Sequence, residues 1–273
     1  MDNKDKIIVE LKKLLEKSVR KRIPKEKFGL LLSGGLDSSL LALLLKKLNY
    51  NFICYTAEFS HPSLKKADDI KYIKLLEKEL DLKVKIVKVS LKDVETNLER
   101  VIKIIKNYEV PMVSIALPIY FCLKQASSDN LKTVLYDCAC DCIFAGLQKH
   151  KVSKNLKKAC IQSLKNTYKK DFPRDTAIAK HFGINLKSPF LDKDLINFAL
   201  SIPTKYKIKD NTEKYILRET ALNLGLSKSI AFRKKKAIQY SSNSQKTLKK
   251  LVRKKGFAKI KDYLESLEME KFT

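Results

Sequence analysis

The sequence predicts an α/β protein: a parallel, twisted sheet with helices on both faces, followed by a mainly helical C-terminal part. Three observations predict it. Short β-rich runs alternate with helix-period runs of crossover length, the pattern that makes strands parallel. An apolar run, Phe28 to Leu32, leads through Ser33-Gly34-Gly35-Leu36-Asp37-Ser38-Ser39 directly into a helical run. And 44% of the 273 residues are hydrophobic, ample for a buried core. We divide the chain into an N-terminal helix (1–24), an α/β core (25–150) and a mainly helical part packed on that core (151–273).

Each element has a local reason. Over residues 5–22, Ile7, Ile8, Leu11, Leu14, Leu15 and Val19 share one helical face, and Pro24 stops the helix. Phe28 to Leu32 reads as a buried strand, and Leu40 to Leu48 as a helix buried nearly all round. Asn51 to Glu58 is β-rich, with Cys54 as a plain core cysteine. Ala67 to Leu80 is amphipathic, Leu82 to Val89 alternates as a strand, and Leu91 to Asn107 is helical. Ser114 to Ser127, with Pro118 and Cys122 in it, reads as a helix, and Leu131 to Tyr136 as a strand. Asn155 to Lys170 is a basic helix, Asp194 to Ser201 a helix ended by Pro203, and Lys214 to Leu224 another helix before a polar and then helical tail.

In a parallel sheet the ligand lies at the strands' C-terminal ends. Ser33 to Ser39 sits there. Gly34 and Gly35 can take positive φ and let an anion approach the backbone, and Ser33, Ser38 and Ser39 add hydroxyl donors. Asp37 would repel phosphate unless a cation lay between them, which points to Mg²⁺. The residues alone leave a second reading open, a capped helix start after a tight turn. No Gly-Lys-Ser/Thr follows, so this is not a Walker loop.

The string SGGLDSS resembles the pyrophosphate loop (PP-loop) of ATP pyrophosphatases, and within that group the synthetase domain of asparagine synthetase and β-lactam synthetase. The resemblance spans roughly residues 25 to 245. It implies a PP-loop, adenine nucleotide α-hydrolase-like fold, ATP and Mg²⁺ as cofactors, and cleavage of ATP to AMP and pyrophosphate while a substrate oxygen is adenylated. Ser33, Gly34, Gly35, Leu36, Asp37, Ser38 and Ser39 would hold phosphates, and Thr56, Ala57 and Glu58 would lie near adenine and ribose. Asp137 to Gly146 resembles the family's second motif, in a register fixed by Asp141, Phe144 and Gly146. Asp141 would then share Mg²⁺ with Asp37. Cys138 replaces the acidic residue credited with proton transfer, Cys142 replaces the second Glu, and Cys140 stands before the Asp. Ser188-Pro189-Phe190-Leu191-Asp192 is intact, although Asn185 and Lys187 replace the usual Glu and Arg. In Phe232-Arg233-Lys234-Lys235-Lys236, Lys235 would meet the phosphates, where an ammonium stabilises charge building on the leaving pyrophosphate. The resemblance contains no match to a glutaminase domain, so release of ammonia from glutamine is not expected of these residues.

Three cysteines at alternate positions, Cys138, Cys140 and Cys142, would point the same way if extended, and three thiolates could hold an iron–sulfur cluster or zinc. The alternative is that they are small residues in a drifted loop. The net charge is +27, with 7 Arg against 50 Lys. Such an excess points to a polyanionic partner, tRNA or other RNA first, or else to a Lys-rich background composition. No apolar run approaches the roughly 20 residues of a membrane span, so we expect a cytoplasmic chain without a membrane partner. Three functions follow from the sequence: an adenylating ligase whose acceptor is attacked by ammonia or an amine; an iron–sulfur-dependent sulfur transferase of the RNA-thiolating type; or a degenerate ATP- or RNA-binding protein. The first two would need an ammonia or sulfide donor, which a separate protein could supply.

Overall fold

The computed structural model describes residues 3–269. Five parallel strands form one sheet: β1 (Phe28–Leu31), β2 (Phe52–Phe59), β3 (Val84–Val89), β4 (Thr133–Leu135) and β5 (Asn185–Lys187). Their spatial order is β3-β2-β1-β4-β5. The chain therefore winds outward from β1 through β2 to β3, then returns to the other side of β1 for β4 and β5. The loops leaving β1 and β4 diverge at this reversal, and the crevice between them is where such sheets bind ligands.

The helices cover both faces. One face carries α1 (Asn3–Arg20), α2 (Leu36–Lys47) and α3 (Asp68–Leu80), whose buried residues share a core cluster with β1. The other carries α4 (Leu91–Ile105) and α5 (Val110–Ser128), clustered with apolar residues of β2. After β4 come two single-turn helices, α6 (Cys140–Ile143) and α7 (Gln148–Lys151), and then α8 (Leu156–Asn166). A π-turn, Thr167–Asp171, joins α8 to α9 (Phe172–His181). The C-terminal part supplies α10 (Lys193–Ser201), α11 (Thr204–Lys207), α12 (Tyr215–Asn223), α13 (Lys228–Ala231), α14 (Ile238–Ser241), α15 (Ser244–Lys254) and α16 (Ile260–Met269).

Several expectations are corrected in detail. The 155–170 helix breaks into α8 and the π-turn, which runs on into α9. The short strand β5 was not foreseen, because three residues carry too little alternation to register. Helix α5 begins at Val110, before the expected Ser114, and reaches 19 residues with mean hydropathy 1.2, long and apolar enough to cross a membrane. The sequence reading passed over it because Pro118 and scattered polar residues interrupt the run. In the structure 67% of that window is buried, so the sheet and its neighbouring helices cover its apolar surface.

Helix α1 is fastened at several points. Leu11, Leu15 and Val19 are fully buried against α2, α10 and α12. Asp192 of the Pro-Phe-Leu-Asp segment accepts the Asp194 and Leu195 backbone N–H groups at the start of α10. It also pairs with Lys21 at 2.9 Å and Arg22 at 3.2 Å. We expect Leu15→Ala to lower unfolding free energy by about 2–5 kcal/mol, as a cavity in a packed core does. Val9→Ala, at a position 39% exposed, should change it by less than about 0.5 kcal/mol. Urea denaturation of both variants checks this.

Candidate active site

The loop after β1 is bound to itself before it binds anything else. The Ser33 N–H donates to Ser38 Oγ at 3.1 Å, the Ser33 and Ser38 hydroxyls meet at 3.0 Å, and Ser39 Oγ donates to Gly35 O at 2.6 Å. Ser38 and Ser39 are buried, so their hydroxyls shape the turn, while Ser33, Gly35, Leu36 and Asp37 reach the cavity wall. Gly34 has φ +67, and a Cβ there would lie 3.2 Å from Ile73 Cγ1 and 3.3 Å from Arg233 Nη1. Glycine is needed both for the turn and for this close approach. Arg233 buttresses the loop: it donates to Ser33 O at 3.3 Å and to Asp69 Oδ1 at 2.7 Å, and lies 4.0 Å over the Tyr72 ring. The sequence reading singled out neither Asp69 nor this role of Arg233. With the turn fixed, the first N–H groups of α2 face the crevice without intrahelical partners, as an anion site requires.

The second motif meets this loop across the reversal point. Asp37, in the first turn of α2, and Asp141, on α6, both pair with Lys214, whose Nζ is 2.6 Å from Asp141 Oδ1. Lys235 pairs with Asp141 as well and donates to Gly146 O at 3.0 Å. Lys214 is the residue the sequence failed to mark. It looks like one more lysine at the start of a helix. It caps α12 in the left-handed region, φ 57, with its side chain only 4% exposed. A Cβ on Gly146 would collide with Lys214 Cε and with Asp141 Oδ1, so that glycine makes room for the ammonium. Burial opposes ionisation of Asp141, but the two ammoniums prevail and hold its carboxyl at about 2. Burial also opposes the charge on Lys214, and the carboxylates of Asp141 and Asp37 overcome it, keeping its pKa well above normal. A third carboxyl, Asp137, was also missed. Burial, then the negative charge of Asp37, pushes it up to about 7.

The three cysteines do not converge as expected. Ala139 takes φ 73 and α6 begins at Cys140, so the segment is not extended. At about 100° per helical residue, Cys140 and Cys142 project to opposite sides. Cys140 is fully buried in the cluster with Phe144 and Phe190, Cys138 packs on the cluster of the opposite sheet face, and Cys142 Sγ lies 3.3 Å from Thr167 Oγ1. Among the described residues, no group of three or more His, Cys, Asp or Glu is placed to hold a metal ion. Burial raises all three thiols, Cys142 to about 11, so they stay protonated at neutral pH.

The cavity encloses about 740 Å³ and continues from the loop into a second half below α8 and the π-turn. Thr56 and Ala57 line it, and Glu58 does not. In the second half Thr167 Oγ1 donates to Asp171 Oδ2 at 3.3 Å, and Arg174 donates to Asp171 Oδ1 at 3.1 Å and from Nε to Asp175 Oδ1 at 2.7 Å. Burial pushes the Asp175 carboxyl up to about 6 against the pull of the Arg174 guanidinium. The Ser188 hydroxyl, opening the Ser-Pro-Phe-Leu-Asp segment, donates to Cys138 O at 2.8 Å and ties the second motif to β5. That segment holds the site together from outside the cavity.

A family model for asparagine synthase matches residues 10–159 and 148–267. The chain belongs to the asparagine synthase family. Within that family it is 30% identical to a putative asparagine synthetase [glutamine-hydrolyzing] 1 of Methanocaldococcus jannaschii, over 94% of this chain and 54% of that protein. It is also 30% identical to asparagine synthetase [glutamine-hydrolyzing] 3 of Arabidopsis thaliana, over 81% of this chain and 41% of that protein. The chain thus spans about half the length of these asparagine synthetases. Among solved structures, the U34-tRNA thiolase NcsA from Methanococcus maripaludis with its [4Fe-4S] cluster aligns over 95% of this chain and 79% of its own, at 17% identity and TM-score 0.42. NMN synthetase from Francisella tularensis aligns over 87% and 98% at 16% identity and TM-score 0.38.

Two predictions follow from these charges. Lys214→Met should lower stability by about 3 kcal/mol, because it strands the mostly buried Asp37 without its counter-ion and leaves Asp141 with Lys235 alone. It should also let Mn²⁺ bind without nucleotide, read as loss of the free Mn²⁺ signal in electron paramagnetic resonance. Asp175 gives a pH signature. Its pKa rises from 3.8 unfolded to about 6 folded, so between those values the native state keeps a proton that the unfolded chain releases. Stability therefore falls as pH rises through that window, by about 3 kcal/mol, and is flat above it. Asp175→Asn should remove this fall, seen as the difference between the two proteins' urea midpoints from pH 4 to 7.

Proposed function

We propose that the chain is an ATP-dependent, AMP-forming synthetase of the asparagine-synthetase type, which adenylates an acceptor oxygen for attack by ammonia or an amine. The observation that carries this reading is the meeting of Asp37, Asp141 and Lys235 at the turn after β1, from three distant parts of the chain. The site fits Mg²⁺: Asp37 Oδ1 is buried without a hydrogen-bond partner, and two carboxylates with nucleotide phosphates are the usual Mg²⁺ set. Asp37 and Asp141 would hold it, and it would neutralise charge on the phosphates. The chain's own groups do the rest. The turn's N–H groups and Ser33 bind phosphate oxygens. Lys235, held beside Asp141 by Gly146 O, stabilises the charge that builds on the departing pyrophosphate. Thr56 and Ala57 flank the nucleoside, and the acceptor takes the half lined by Thr167, Asp171 and Arg174. Cys138 stays a thiol at neutral pH and makes a poor base. Asp175, which ionises near pH 6, is the carboxylate of that half able to take a proton.

The sulfur-transfer reading needs three thiolates on one centre. Cys138, Cys140 and Cys142 face three different surroundings, so they do not fit an iron–sulfur cluster and no step passes through one.

With α-labelled ATP, Mg²⁺, ammonium and a panel of carboxylate acceptors, the products should be AMP and pyrophosphate. Asp37→Asn should lower turnover by about two orders of magnitude or more. Formation of ADP and phosphate would overturn the reading.

A further inference from the structure

Beside the ATP cavity lies a second concavity, about 720 Å³, between the N-terminal half of α3 and residues 233–236. The two are continuous, because Arg233, Lys234, Lys235 and Lys236 line both. Lys66, Lys71 and Lys74 form the outer wall and are exposed. Among the described residues these three and Lys234 make no ion pair, in contrast to their paired neighbours Arg233 with Asp69 and Lys236 with Asp68. On two other faces lysines are paired instead: Lys17 and Lys21 with Asp194, and Lys254 and Lys255 with Glu95. Lys71 and Lys74 are three apart on α3, so they share a face and repel each other. Unpaired like charges held together in a concave surface set up a field that a polyanion relieves.

We infer that this groove docks single-stranded RNA and leads it into the ATP cavity. Three features favour an RNA strand over other polyanions. The spread of lysines along a groove suits a phosphodiester backbone, which needs one cation per phosphate. Tyr240, 47% exposed, lines the cavity that the groove joins, where a base can stack on it. Stacking there requires an unpaired base, which single-stranded RNA presents and duplex DNA conceals. That the docked strand also carries the acceptor rests on the adenylating function proposed above; the docking does not.

The test uses the full chain without nucleotide and bulk tRNA as probe, in mobility-shift titrations from 50 to 300 mM salt. The triple variant Lys66→Glu, Lys71→Glu, Lys74→Glu should bind at least about tenfold more weakly, with a salt slope lower by roughly 2, since about 0.7 counterions are released per single-strand phosphate. A control triple, Lys83→Glu, Lys132→Glu, Lys180→Glu, makes the same charge change on exposed lysines at or near the opposite ends of the strands and should stay within about twofold of the parent. Equal loss in both triples would overturn the proposal and leave the lysines as background composition. So would no retention of tRNA at 50 mM salt, or duplex DNA of equal length competing as well as single-stranded RNA. Titration of each variant with a non-hydrolysable ATP analogue and Mg²⁺ separates the two questions. Failure of the parent protein to bind the analogue would count against the synthetase reading; in the first triple, loss of tRNA with analogue binding kept supports the groove, and loss of both overturns it.

Discussion

The site depends on one buried ion cluster, the ammonium of Lys214 between the carboxylates of Asp37 and Asp141. Neither carboxylate could sit so close to the other at the crossing of β1 and β4 without a cation between them. The glycine at 146, the left-handed backbone at 214 and the tie from Lys235 to the same carboxylate all serve that arrangement. Burying an ion pair is weak evidence for stability in itself. Here it holds two carboxylates from distant parts of the chain together, with lysine charge between them.

Much of the nucleotide half was legible. The strand, turn and helix at 28–47 follow from an apolar run, two glycines and a second apolar run, and the alternation that follows set the parallel sheet. Asp141 and Lys235 were marked through motif register, and the structure pairs them. What was not legible depends on tertiary position. Lys214 carries no local mark, and its meaning comes from partners 73 and 177 residues away in the chain. Strand β5 is too short to show a period, and its place is set by pairing with β4.

The cysteines show how a correct pattern can mislead. Alternation points side chains one way only in an extended segment. A single residue, Ala139, turns the backbone and starts a helix, and the three thiols separate into three environments. Cys140 becomes a core residue by the ordinary preference of free cysteine for burial, Cys138 packs half-buried against the opposite cluster, and the buried Cys142 faces a threonine hydroxyl. The second half of the cavity owes its polarity to the π-turn, which reads from sequence as the end of a basic helix, and to Arg174 beyond it.

The span of chain between the cluster's members also bears on how the protein is made. Asp37 is 177 residues from Lys214, and Gly146 is 89 residues from Lys235. Chains emerge from the ribosome N-terminus first, and contacts of long sequence separation form late. The sheet's first four strands can pair while the nascent chain still lacks Lys214 and Lys235. During that interval the two aspartates stand opposed with nothing to neutralise them, and the β1–β4 crossing is at its weakest. The crevice at this crossing is therefore among the last parts of the molecule to mature, although the loop after β1 is among the first to be translated.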